Sequence, residues 1–301
     1  MLRALADPIL PVFAIMAIGY LGGRTARITA DEARLINRFA MTVLLPIFVF
    51  RAMALAPWEL FDPAALLSYA SAQAVIYALG YWIIRRGFGM PRAEALLLAF
   101  CGVFANNAYY GLPIAQFLFG VEAAFPVTAV VILDATLAFG GTMIALEVMA
   151  GRDAGAGLGV VLRQIAKLPL IWALAAGIGF GTAGLPLTGS LDTFTAFVGQ
   201  AASPVALFAL GVILAATPLQ PEPVTFLVST VKIVVLPLVV WAILTVTAPG
   251  EGKMLYVFAA AGPAGAMGAS MALLYGVRTV AIMQVTILTS VLTLFSLAYL
   301  G

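Results

Sequence analysis

The sequence predicts an all-α membrane protein whose ten transmembrane helices form two five-helix repeats of inverted topology. Three observations carry that reading: a composition that water cannot solvate, ten apolar stretches of spanning length, and prolines that recur at a fixed offset. Of 301 residues, 63% are hydrophobic and 9% charged, against roughly 25% charged in a soluble domain. A soluble fold would leave too little polar surface to cover its outside, whereas a bilayer accepts apolar surface all round a helix bundle. The net charge of +2, with no basic run longer than Arg85-Arg86, gives no footing for a nucleic-acid partner. One cysteine, Cys101, and no histidine exclude an intramolecular disulfide, Cys- or His-ligated metals and Ser-His triads. Cys101 itself reads as a small core residue between helices.

A helix needs at least ~17 apolar residues to cross ~30 Å of hydrocarbon. Ten stretches qualify, near 8–24, 35–55, 64–85, 93–119, 124–149, 161–183, 191–216, 223–247, 253–275 and 279–300. The first is read as a span rather than a signal peptide, because Asp7-Pro8 interrupts its start and no small-residue cleavage site follows. Basic residues are retained on the cytoplasmic side. The connections after spans 1, 3, 5 and 9 hold Arg24, Arg27, Arg34, Arg38, Arg85, Arg86, Arg92, Arg152, Arg163, Lys167 and Arg278, whereas the other side has Arg3, Arg51 and Lys253. This bias places both termini outside, and an even number of spans requires the two ends to share a side.

The repeat is marked by prolines. Leu10-Pro11 in span 1 and Leu168-Pro169 in span 6 are offset by 158, as are Leu45-Pro46 in span 2 and Ser203-Pro204 in span 7. Five spans per half is an odd number, so the second half (161–301) must insert upside down relative to the first (1–150). Many secondary transporters use this arrangement to alternate access around a midplane site.

The fourth span of each half is interrupted. Span 4 carries Phe104-Ala105-Asn106-Asn107-Ala108-Tyr109-Tyr110-Gly111-Leu112-Pro113, and span 9 carries Gly262-Pro263-Ala264-Gly265-Ala266-Met267-Gly268-Ala269-Ser270. Each proline removes a backbone donor and clashes with the carbonyl four residues earlier, freeing polar groups that hydrocarbon cannot satisfy. They must face protein or water. Freed N–H groups at the start of a half-helix suit a carboxylate, and unwound carbonyls suit a cation. Asn106, Asn107, Tyr110, Gly111, Pro113, Gly262, Pro263 and Met267 are therefore the candidate substrate-binding residues. The offset between Pro113 and Pro263 is 150, so the repeat has shifted by this point.

The segment Asn106 to Pro113 resembles the Asn-x-x-x-x-Gly-Leu-Pro element of the auxin efflux carrier family, bacterial branch, and the similarity extends over the whole chain. The resemblance implies a fold like that of the bile-acid sodium symporters, with two broken helices that cross. It implies a scaffold from spans 1, 2, 6 and 7 and a moving domain from spans 3–5 and 8–10. It implies organic-anion substrates, such as malonate or malate in bacteria and indole-acetate in plants. It also implies that Asn106 points its amide at the substrate carboxylate and that the crossover is built at Pro113 and Pro263. Asn107, Tyr109 and Tyr110 are additional to the element, so the type of substrate does not transfer. The long cytoplasmic loop of plant members is missing.

Asp134, near the middle of span 5, would cost several kcal/mol if ionised and unpaired in the bilayer. It is the candidate coupling residue, holding a proton on one side of the cycle and releasing it on the other. The bland alternative is a permanent hydrogen bond to Thr136 or to an Asn of span 4. Glu147 and Lys232 can snorkel, and Arg51 reads as an interfacial anchor. Gly19, Gly22 and Gly23 in span 1, with Gly177, Gly179 and Gly181 in span 6, read as close-packing positions. Gln73 and Tyr77 share a face of span 3, as do Gln284 and Leu288 in span 10, and none of these ranks as a site.

These readings converge on a secondary carrier of small organic anions in a bacterial inner membrane. No G-x-x-x-x-G-K-[ST] motif occurs, so the drive would be a gradient, with H+ at Asp134 or Na+ on the crossover carbonyls as coupling ion and no other cofactor. The expected partners are the lipid bilayer, the anion and, as one arrangement, a second copy in a homodimer. An anion channel or uniporter that facilitates carboxylate diffusion is the main alternative. An intramembrane transferase would need an acid–base or nucleophile pair that the spans lack.

Overall fold

The computed structural model describes residues 2–55, 62–120, 123–149, 169–216, 221–250, 252–265 and 267–300. Residues 161–168 of the expected sixth span lie outside these, with Arg152, Arg163 and Lys167, as do the side chains of Tyr109, Pro113 and Glu147. Helices and short connections make up the described residues, with no strand among them. Among the described residues, five helical runs are long and apolar enough to cross a membrane: Ala30–Ala54, Pro63–Gly87, Phe125–Leu146, Gly189–Ala215 and Pro223–Thr247. Spans 4 and 9 are each divided into two shorter helices.

Wide, π-helical turns let several spans continue through proline. Ala40–Leu44 precedes Leu45-Pro46, Asn107–Gly111 precedes Leu112-Pro113, and Val231–Val235 precedes Leu236-Pro237. A proline ring collides with the carbonyl four residues back. Winding one residue wider moves that carbonyl aside, so the helix survives. A fourth such turn, Asp134–Phe139, contains no proline and begins at the buried Asp134.

The chain divides into two units. Unit 1 comprises 1–61, 108–128 and 164–218. Its helices are α1 (Leu2–Arg24), α2 (Ala30–Phe39) and α3 (Leu45–Ala54), α6 (Leu112–Phe119), α9 (Pro169–Thr182), α10 (Gly189–Gln200) and α11 (Ala202–Ala215). Thr29 starts α2 with a capping box, accepting from the Glu32 N–H at 3.2 Å while its own N–H donates to Glu32 Oε2 at 2.8 Å.

Glycines bring the helices of unit 1 together. A Cβ on Gly19 would overlap the Phe208 carbonyl, and one on Gly177 would stand 2.7 Å from the Phe50 carbonyl. Gly19 and Gly177 are offset by 158, and so are Phe50 and Phe208, so the α1–α11 contact maps onto the α9–α3 contact when the two halves are exchanged. Gly19→Ala and Gly177→Ala should each lower thermal stability by about 1–3 kcal/mol, the scale of an overpacked core. Gly179 has nothing within 4 Å of its Cβ position; it is not the close-packing residue the sequence suggested. Gly179→Ala should melt like the parent protein, and equal losses at all three positions would contradict this packing. Arg51 is a fixed internal partner rather than a free anchor. It pairs with the Asp192 carboxylate and donates to the Asp192 carbonyl at 3.1 Å and to Thr195 Oγ1 at 3.2 Å.

Unit 2 comprises 62–107, 129–163 and 219–301. Its helices are α4 (Pro63–Gly87), α5 (Arg92–Val103), most of the run through α7 (Ala124–Leu133) and α8 (Gly140–Met149), α12 (Pro223–Thr230), α13 (Leu236–Thr247), α14 (Lys253–Ala261), α15 (Met267–Leu274) and α16 (Val280–Leu300). Asp62 caps α4, accepting from the N–H groups of Ala64 and Ala65, with Pro63 at the first helical position. Tyr69, Ala72 and Ile76 of α4 pack with Leu236, Val240 and Leu244 of α13 and with Tyr256, Val257 and Ala260 of α14. Ser68 and Thr247 join their hydroxyls at 2.7 Å across α4 and α13. Arg278, between α15 and α16, makes two 2.9 Å bonds to the Glu222 carboxylate and a third to Glu94 Oε1. Those acceptors, Glu222 first, hold its guanidinium more firmly charged than in water.

Candidate functional site

Two helices of unit 2 stop in its interior. α5 is buried from Glu94 to Val103 and ends where Phe104 turns extended, its ring stacked on Phe100 with centroids 4.7 Å apart. α14 ends at Ala261, and Gly262 turns extended before Pro263. The two interruptions meet: the Asn106 N–H donates to the Pro263 carbonyl at 2.8 Å. Glycine permits the approach. A Cβ on Gly262 would stand 3.2 Å from Asn107 Oδ1, and one on Gly265 would stand 3.3 Å from the Phe104 ring and 3.5 Å from Asn106 Cβ.

Backbone groups freed by the two interruptions are answered by side chains from other helices. Ala105 N–H donates to Asp134 Oδ2 at 3.4 Å, and the Val103 carbonyl accepts from Gln73 Nε2 at 3.4 Å. On the other side, Ala264 N–H donates to Thr289 Oγ1 at 3.1 Å, and the Gly265 carbonyl accepts from Thr286 Oγ1 at 3.4 Å. With Ala264 N–H turned away, the Ala260 carbonyl has lost its normal helical donor and accepts from Lys232 Nζ at 2.7 Å. This is the side-chain satisfaction that a broken helix needs in a low-dielectric interior.

Asp134 is 1% exposed and takes 2.5 Å and 3.4 Å bonds from Gln73 Nε2 and Ala105 N–H. Neither of the partners expected from sequence supplies these bonds, since Thr136 turns back to the Ile132 carbonyl. Lys232 is 0% exposed, so it does not snorkel. Its charge and that of Asp134 act on each other within the same interior. Gln73, unranked from sequence, is thus an Asp134 ligand, while Tyr77 on the same face joins Thr142 Oγ1 at 2.7 Å.

Asn107 is fully buried, and neither its amide oxygen nor its nitrogen has a hydrogen-bond partner. An orphaned buried amide costs about 1–3 kcal/mol per group, which a polar ligand would recover. Asn106 is half-buried beside Gly265, and Met267 is half-buried at the start of α15. Asn106, Asn107, Gly262, Pro263, Met267 and Asp134 all fall in unit 2, whereas Tyr110, Gly111 and Pro113 fall in unit 1. The main-chain bond of the crossing is made by Asn106, upstream of Pro113, which is the second residue of α6. Cys101 is buried in α5, with its Sγ where a Cβ on Gly268 would stand.

The profile of the family described as "Membrane transport protein" matches residues 4–300. The chain belongs to this family of auxin efflux carriers. Among its relatives, the "Putative malonate transporter" of Rhizobium meliloti (strain 1021) is 29% identical over 223 residues, covering 71% of this chain and 68% of the relative. "Uncharacterized transporter YfdV" of Escherichia coli (strain K12) is 23% identical, covering 79% and 77%. An "Uncharacterized transporter" of Methanothermobacter thermautotrophicus is 23% identical, covering 69% and 67%. This carrier is thus a membrane transport protein with a small-molecule substrate and several membrane-crossing helices.

Proposed function

We propose that this auxin efflux carrier homologue is a secondary active transporter of small organic anions, taking carboxylates such as malonate or malate by elevator-type alternating access. One observation carries the reading: two interrupted helices joined by the Asn106–Pro263 bond, with the orphaned amide of Asn107 buried beside Gly262. A carboxylate accepts from amide donors and from the N–H end of a half-helix, so an interior of this kind favours an anion over an apolar solute. Asn106, Asn107, Gly262, Pro263 and Met267 of unit 2 form the substrate site on this reading, and Asp134 handles the coupling proton. The relative named for malonate supports the substrate class.

On this reading the ten apolar stretches are ten spans in two inverted repeats; the proline offset of 158 and the reciprocal Gly19–Phe208 and Gly177–Phe50 contacts support the repeat. Spans 1, 2, 6 and 7 form the scaffold, and spans 3–5 and 8–10 carry the substrate. Both termini face the periplasm of a bacterial inner membrane. The test is a binding screen of mono- and dicarboxylates on purified protein, followed by uptake into liposomes. Saturable uptake that is accelerated by substrate on the far side is expected. Uptake that rises linearly without exchange would make the protein a channel, and no binding by any carboxylate would refute the reading.

A further inference from the structure

The Ala260 carbonyl lies in the last turn of α14, where the macrodipole is negative and the normal helical donor has been diverted to Thr289. A carbonyl at the end of a half-helix is the chemistry that holds a free monovalent cation. Here the cation belongs to the chain. Lys232 sits in the wide turn Val231–Val235, is wholly buried and reaches the Ala260 carbonyl at 2.7 Å. Asp134 in turn is tied to the other interruption through Ala105 N–H and to α4 through Gln73.

We infer that the Lys232 ammonium is a tethered cation that occupies the α14 end of the crossing in place of a free alkali ion, so that the protein binds its substrate without sodium. The inference rests on the carrier reading and deepens it. A lone Asp134 carboxylate would repel an anionic substrate; a cation held at the Ala260 carbonyl in the same interior offsets that charge and leaves the Asn107 amide to act on the anion. Fixing the cation covalently also removes the entropy cost of capturing one in each cycle.

Melting of the purified protein tests this without any substrate. Wild-type protein should melt at the same temperature in sodium chloride as in an equal concentration of choline chloride. Lys232→Ala should melt lower in choline and be partly restored by sodium or methylammonium, which are small enough to take the vacated position, while Lys232→Arg should remain indifferent to the salt. Sodium-dependent stabilisation of the wild type, or a Lys232→Ala protein as stable in choline as its parent, would overturn the assignment. Should Lys232→Ala fail to fold, the pair Asp134→Asn with Lys232→Met removes both charges; it is expected to fold and to melt alike in both salts, and its failure would equally overturn the assignment. A protein that passes these tests yet moves no carboxylate refutes the carrier reading and leaves the role of Lys232 standing.

Discussion

On the proposed carrier reading, Asn107→Ala is expected to weaken carboxylate binding at least tenfold, about 1.4 kcal/mol, while leaving the unliganded protein as stable as its parent or more so. The two effects have one cause. The Asn107 amide is buried without a protein partner on either polar atom, so the folded chain carries its desolvation cost until a ligand accepts the bond. Truncation relieves that cost and removes the donor together. Asn106→Ala should have a smaller effect on binding, because the bond that holds the crossing comes from the Asn106 main chain, which the substitution keeps. Calorimetric titration alongside thermal melting separates these outcomes. An Asn107→Ala protein that binds normally but melts several degrees lower would mean that the amide is structural.

Asp134→Asn should abolish uptake driven by a pH gradient and preserve substrate exchange. Asparagine keeps an acceptor for Gln73 Nε2 and has nearly the same shape, but it cannot gain or lose a proton. It also leaves the buried Lys232 ammonium without its countercharge. Charges coupled within one network are worth about 0.5–3 kcal/mol to each other, so melting should fall. Adding Lys232→Met to Asp134→Asn should recover much of that loss, since an apolar replacement of both partners is often neutral. Normal pH-driven uptake by Asp134→Asn would end the proton role. A double variant no more stable than the single one would mean that the two charges do not depend on each other.

The positions of the helix breaks were legible because their cause is local. Proline, glycine and paired asparagines inside an apolar stretch disturb the helix wherever it packs, and the structure interrupts it at Phe104–Asn106 and from Gly262. The close approach of spans 1 and 6 to their neighbours was legible for the same reason, but not which glycines make it. Gly177 and Gly179 lie about 200° apart around a helix of 3.6 residues per turn, so they cannot both face α3, and only Gly177 does. Less visible were the partners of Asp134. Gln73, Asp134 and Lys232 lie in three different spans, and no spacing within one helix connects them. A usable signal did exist: Asp134 and Lys232 are opposite charges deep in apolar stretches, and the bilayer makes isolation costly for both. The wide turns had a trace as well, in the Leu-Pro pairs at 45–46, 112–113 and 236–237, though the turn that begins at Asp134 had none.

Disulfide formation between Asn106→Cys and Gly265→Cys, in a Cys101→Ser background, tests the joined interruptions most directly. A Cβ on Gly265 stands 3.5 Å from Asn106 Cβ, within the ~3.5–4.5 Å that a disulfide spans. Mild oxidation of the folded protein should link the pair, and on the proposed carrier reading a saturating carboxylate substrate should slow the reaction by occupying the space beside Asn107. Thiols that stay free in a protein that melts normally would contradict the crossing, and a linking rate indifferent to every carboxylate the protein binds would remove the substrate from it.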